Sequence, residues 1–161
     1  REVRSWPIWG WLSRLGGTVF VDRASRRDVP RAIDEMVRAM EAGECVVLFP
    51  EGTTSAGSGI LPLRSALMEA AVRTGRPLHF ATLAYRTGPT DPPPSDAVCW
   101  WGDHDFLPHL LGLLRLDRVD VDARFGDAPL LGSDRKTLAA QLALALESSL
   151  HRIEPRPGTT P

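Results

Sequence analysis

The chain has 161 residues, a formal net charge of −1 and 43% hydrophobic residues; this suits one domain with a single core, and so small a charge provides no field to draw it to nucleic acid. Cys45 and Cys99 stand in apolar surroundings without a CxxC partner, which argues against a disulfide framework and for reduced thiols in a cytosolic setting. No apolar run reaches the roughly 18 residues of a transmembrane helix, and there is no signal-peptide pattern.

Residues 5–15 crowd Trp6, Trp9 and Trp11 beside aliphatic side chains. Trp6, Trp9 and Leu12 fall at helical spacing, which predicts a helix packed on a sheet; a bilayer-facing rim is the other reading of so many tryptophans. Thr18-Val19-Phe20-Val21 reads as a short strand after Gly16-Gly17, with Arg23 emerging at its end. A helix follows, capped by Asp28 and stopped by Gly43, with Val29, Ile33, Met36, Val37 and Met40 on one face. Cys45-Val46-Val47-Leu48-Phe49 reads as the next strand, so the unit from 18 to 49 is strand, helix, strand, the usual source of two parallel neighbours.

The loop after that strand, Phe49-Pro50-Glu51-Gly52-Thr53-Thr54-Ser55, offers a carboxylate, a flexible glycine and three hydroxyls at the carboxyl end of a strand, where α/β clefts open. Gly52 and Gly57 have P-loop spacing, but Ser58 stands where that motif needs lysine. No Gly-x-Ser-x-Gly nucleophile elbow is present. A helix is predicted from about Pro62 to Thr74, with Arg64 near its N-terminus as either a ligand contact or a surface charge. Leu78 to Tyr85 and Ala97 to Trp101 read as strands, and Phe106 to Leu114 as a short helix. His104 and His109 sit five apart, which a helix does not bring to one face, so no metal site is expected. Val119 to Phe125 alternates apolar and charged residues, as a strand with its aspartates in solvent would. Ser133 is expected to cap a last helix, with Leu138, Leu142, Leu146 and Leu150 docked on the sheet. The alternation of elements predicts an α/β fold in layers, a mostly parallel sheet flanked by helices, over residues 1–154, with a disordered tail at 155–161.

Phe-Pro-Glu-Gly-Thr at 49–53 resembles the third motif of the glycerolipid acyltransferase family, and Gly17-Thr18-Val19-Phe20-Val21-Asp22-Arg23 resembles its second. Trp101-Gly102-Asp103 and Phe125-Gly126-Asp127 are similar to later pairs of that family. The resemblance implies transfer of a fatty acyl chain from acyl-CoA or acyl carrier protein to a lysolipid hydroxyl, with 1-acyl-sn-glycerol-3-phosphate as acceptor or, by the Thr53-Thr54-Ser55 continuation, lyso-ornithine lipid. It implies work at the cytoplasmic face of a membrane, with no cofactor beyond the acyl donor. Gly17, Arg23, Glu51, Gly52 and Thr53 are the substrate-binding residues it points to, and Arg64 joins them as a candidate from its place near a helix N-terminus close to the Glu51 loop.

The family's first motif, histidine followed five positions later by aspartate, has no counterpart. The positions five after His79, His104, His109 and His151 are Ala84, His109, Leu114 and Arg156. Because the chain starts with Arg1, it is expected to be a fragment whose catalytic dyad lies upstream, inactive by itself. A non-catalytic module that binds lipid phosphate is the alternative.

Overall fold

The structure, a computed structural model, describes residues 9–21 and 27–152. Arg23, Trp6 and the 155–161 tail, all singled out from the sequence, lie outside the described residues. The elements are α1 (Trp9–Leu15), α2 (Asp28–Glu41), a 3-10 turn (Ser65–Met68) running into α3 (Glu69–Thr74), β1 (Ala81–Thr87), α4 (Pro94–Ala97), α5 (Phe106–Leu113), β2 (Val119–Phe125) and α6 (Arg135–His151).

The expected layered, mostly parallel sheet is not what these residues form. Among the described residues the sheet has two strands, β1 and β2, paired antiparallel from Ala81 opposite Phe125 to Thr87 opposite Val119. A single bridge, Leu78 opposite Leu130, prolongs the pairing beyond its end. Residues 18–21 and 45–49, both expected to be strands, have no regular secondary structure and join no ladder among the described residues. The period-2 pattern is nevertheless obeyed at 46–49: Val46 and Leu48 pack inward while Val47 and Phe49 face out. Alternation specifies which side chains are buried, whereas a ladder also needs a neighbouring backbone, and that information is not local. Residues 97–101 likewise form no strand; their region holds the short α4.

Two linked clusters make the core. In one, Ile33, Met36 and Val37 of α2 close over Ala70 of α3, as the helical spacing of α2 requires. In the other, Leu138, Ala139, Leu142 and Leu146 of α6 surround Met68, with Leu78 and Phe80 alongside. Leu48 touches both clusters and so pins the chain just before the Glu51 loop. The cap of α6 is Asp134 and not Ser133: its carboxylate accepts from the backbone N–H groups of Lys136 at 3.0 Å and Thr137 at 2.8 Å. An acceptor one residue further on meets the second and third helical N–H groups directly.

The sheet is turned the opposite way from the expectation. Thr82 on the α6 side shares a 2.8 Å hydrogen bond with Ser149, buried between strand and helix. The same side carries Arg86, Asp120, Asp122 and Arg124, with Arg86 paired to Asp122 and Arg124 donating to the Arg152 carbonyl at 3.0 Å. The aspartates of β2 therefore belong to the half-covered side, and the valines and Phe125 face outward. Gly126 continues β2 by donating to the Phe80 carbonyl at 2.9 Å, and the Phe80 ring occupies the space a side chain at 126 would need. Of the three positions expected to pack the first helix on a sheet, Leu12 is exposed, as are Trp11 and Leu15 beside it, while Trp6 and the Trp9 side chain lie outside the described residues.

Candidate functional site

The Glu51 loop begins with a tight turn. Gly52 donates its N–H to the Phe49 carbonyl at 3.1 Å and has φ of +68°, a left-handed conformation that glycine enters without a Cβ penalty. The turn is held from the other side by Arg64, whose backbone N–H reaches the Pro50 carbonyl at 2.8 Å. Arg64 precedes the Ser65–Met68 turn, and Met68 is fully buried, so this anchor is tied to the core. The Arg64 side chain lies over Gly52, where a Cβ would come 3.3 Å from its Cγ and 3.7 Å from its Nε. Glu51 and Arg64 thus belong to one hydrogen-bonded turn.

Beyond the turn, Thr53 and Thr54 are exposed, and the Ser55 hydroxyl accepts from Gly57 N–H at 3.2 Å. Gly57 also has positive φ, +80°, and a Cβ there would lie 3.3 Å from the Cys99 sulfur. Cys99 therefore backs the loop. Burial pushes its thiol pKa up, which disfavours the thiolate.

Gly17 is placed differently. It ends α1 with φ of +67°, donating to Arg14 at 3.1 Å while Thr18 N–H donates to Ser13 at 2.9 Å, the paired bonds of a glycine helix stop. Its recess, about 460 Å³, is lined also by Arg14, Thr18, Val19, Phe20, Arg31 and Glu35. None of Glu51, Gly52, Thr53 and Arg64 lines it. The structure thus brings Glu51, Gly52, Thr53 and Arg64 to one loop and leaves Gly17 in a separate recess. Arg23, named with Glu51 among the substrate-binding residues, lies outside the described residues.

One residue not singled out from the sequence organises the Gly17 recess. Arg31 donates from Nε to Asp28 at 2.6 Å, from Nη1 to Glu35 at 2.5 Å and from Nη2 to the Phe20 carbonyl at 2.6 Å. The hydrogen bonds it donates to Asp28 and then Glu35 raise its pKa further, so it is permanently charged and already partnered. The signal for it was present in the carboxylates three before and four after it on α2. Among the described residues no three His, Cys, Asp or Glu side chains group to hold a metal ion, and no helix is long and apolar enough to cross a membrane.

Comparison with known proteins bears on this loop. Residues 1–85, which include it, match the model of a protein family described as Acyltransferase. The chain is 38% identical over 137 residues to a lyso-ornithine lipid O-acyltransferase of Rhizobium meliloti, covering 79% of this chain and 47% of that protein. It is 37% identical over 156 residues to a lyso-ornithine lipid O-acyltransferase of Brucella abortus, covering 86% and 56%. A 1-acyl-sn-glycerol-3-phosphate acyltransferase of Neisseria gonorrhoeae is 35% identical over 108 residues, 63% of this chain and 42% of that protein. The chain spans about half the length of the curated relatives it matches. No solved structure matches it.

Proposed function

Since the chain belongs to the acyltransferase family, we propose that the protein of which it forms part moves a fatty acyl group from an acyl thioester, acyl-CoA or acyl carrier protein, to the hydroxyl of a lysolipid. The hydroxyl oxygen attacks the thioester carbonyl, the carbon–sulfur bond breaks, and the hydroxyl's proton ends on the departing thiolate. Atoms balance with these two substrates alone. The base that removes the proton is expected outside these 161 residues, because no His-x4-Asp pair occurs in them. This chain's residues serve the acceptor: the Glu51 carboxylate, the Gly52 turn that lets a headgroup approach, the Thr53 hydroxyl and the Arg64 guanidinium. Arg23 belongs to the same proposal through its motif.

The observation that carries this reading is the Arg64 side chain laid over the Gly52 turn. Opposite charges at 51 and 64 suit a headgroup that itself bears both signs. An ornithine headgroup offers an ammonium and a carboxylate, and the relatives matched over 79% and 86% of this chain are named lyso-ornithine lipid O-acyltransferases, whereas the 1-acyl-sn-glycerol-3-phosphate acyltransferase is matched over 63%. Lyso-ornithine lipid is therefore the acceptor we favour, and 1-acyl-sn-glycerol-3-phosphate the competitor. We place the reaction at the cytoplasmic face of a membrane. The exposed Trp11 and Leu15 support contact with a bilayer surface, and the free Cys45 and Cys99 support a reducing compartment.

The test is acyl transfer by the polypeptide encoded in the same reading frame with its upstream residues, offered each lysolipid with acyl-CoA and with acyl carrier protein. Ester formation on lyso-ornithine lipid, lost in Glu51→Ala and reduced in Arg64→Ala, is the expected result. Preference for the glycerol phosphate acceptor would reverse the assignment, and turnover by the 161-residue chain alone would show that the base lies within it.

A further inference from the structure

The outward side of the β1–β2 sheet is apolar and lies open. Leu83, Tyr85, Val121 and Phe125 share it, and Val121 and Phe125 are 51% and 73% exposed. The polar side of the same sheet is the one that α6 covers. Burying apolar surface is favourable, and a two-stranded sheet has little stability until a third element packs on it. A sheet that shelters its charges and exposes its valines and aromatics is built to receive something on the other side.

A second opening has the same character. Val47 and Phe49 are 79% and 77% exposed, while Val46 and Leu48 between them pack on the core. The N–H groups of residues 45–49 donate to no backbone carbonyl of the described residues. A lipid surface could cover the apolar side chains but offers nothing in its hydrocarbon to accept from those N–H groups, whereas polypeptide does both. The relatives supply the length. The 137 matched residues make up 47% of the Rhizobium protein and the 156 matched residues 56% of the Brucella protein.

From these observations we propose that the open side of the β1–β2 sheet and the unladdered edge at 45–49 form an internal interface, closed by polypeptide corresponding to the part of those relatives that this chain does not span. The proposal rests on family membership and the two open surfaces, and it stands whichever lysolipid is acylated.

Thiol labelling tests it on two forms, the 161-residue chain and the longer polypeptide encoded in the same reading frame. In a Cys45→Ser, Cys99→Ser background, Leu83→Cys and Val121→Cys report the sheet, and Leu144→Cys, exposed on α6, serves as control. Both reporters should react with a maleimide at least tenfold more slowly in the longer form, with the control unchanged. Hydrogen exchange of the unsubstituted proteins, which needs no variant to fold, should show the amides of 45–49 protected only in the longer form. Equal labelling and exchange in both forms would overturn the proposal, as would a reading frame that adds no polypeptide. Protection that appears only with phosphatidylglycerol vesicles would assign the face to a membrane, and protection of the short form at high concentration to a second copy; either result sinks it.

Discussion

Arg64 and Gly52, twelve positions apart, lie side by side: a Cβ at 52 would come 3.3 Å from the arginine Cγ, and the arginine backbone N–H holds the Pro50 carbonyl at 2.8 Å. Loop geometry and side-chain position are therefore coupled. A left-handed residue with a Cβ costs roughly 1–2 kcal/mol, so Gly52→Ala should lower unfolding free energy in urea by about that amount. In the longer protein it should also reduce acyl transfer beyond what stability explains. Arg64→Ala should leave stability nearly unchanged and raise the KM for the acceptor. An unaltered KM would separate Arg64 from the acceptor.

The buried Thr82–Ser149 pair joins β1 to α6 through a 2.8 Å hydrogen bond. Ser149→Ala strands the Thr82 hydroxyl away from water, an error that costs about 1–3 kcal/mol. Thr82→Val together with Ser149→Ala removes both polar groups and should recover most of that loss. A double-mutant cycle in urea with additive costs would show that the two hydroxyls do not interact.

Gly126 tolerates no side chain because the Phe80 ring already fills the space. Overpacking a well-filled site costs about 1–3 kcal/mol, and Gly126→Ala should lower the thermal midpoint accordingly. Phe80→Leu introduced beside it should restore part of the loss. If Gly126→Ala melts like the parent, the ring moves aside freely.

Asp134 caps α6, and its pKa lies below the ordinary 3.8, chiefly because of the backbone N–H of Thr137 and then its hydroxyl. A carboxylate depressed in the folded state stabilises the protein above its unfolded pKa and loses that contribution as pH falls through the folded value. The difference in thermal midpoint between parent and Asp134→Ala should be full at pH 6–7 and shrink as the pH falls below the ordinary carboxylate range. Asp134→Asn, which keeps an acceptor oxygen without the charge, should show no such pH dependence over that interval.

Cys45 is exposed, whereas Cys99 sits behind Gly57 with its thiol pKa raised by burial above the ordinary 9.0. Iodoacetamide at pH 7.5 should modify Cys45 first, and Cys99 should follow much more slowly, gaining rate only at higher pH. Peptide mass mapping over time distinguishes the two. Equal rates would mean that the loop opens readily.

Elements whose signal is carried within a few turns were legible in the chain itself. The apolar faces of α2 and α6, the limits of β2 at Val119 and Phe125, and the glycine stops at Gly43 and Gly75 all follow from residues that touch their own neighbours. The Phe49-Pro50-Glu51-Gly52-Thr53 motif carried the family in the same way, because five consecutive residues need no partner to be recognised. Strand pairing, the choice of wet and dry sheet faces, and the laying of Arg64 over Gly52 were decided only in three dimensions. Alternation at 119–125 is satisfied by either face, and which one α6 covers depends on residues such as Thr82 and Ser149, 67 positions apart. A period of two repeats identically on both sides of a strand, so only contact with a distant element can say which side is in.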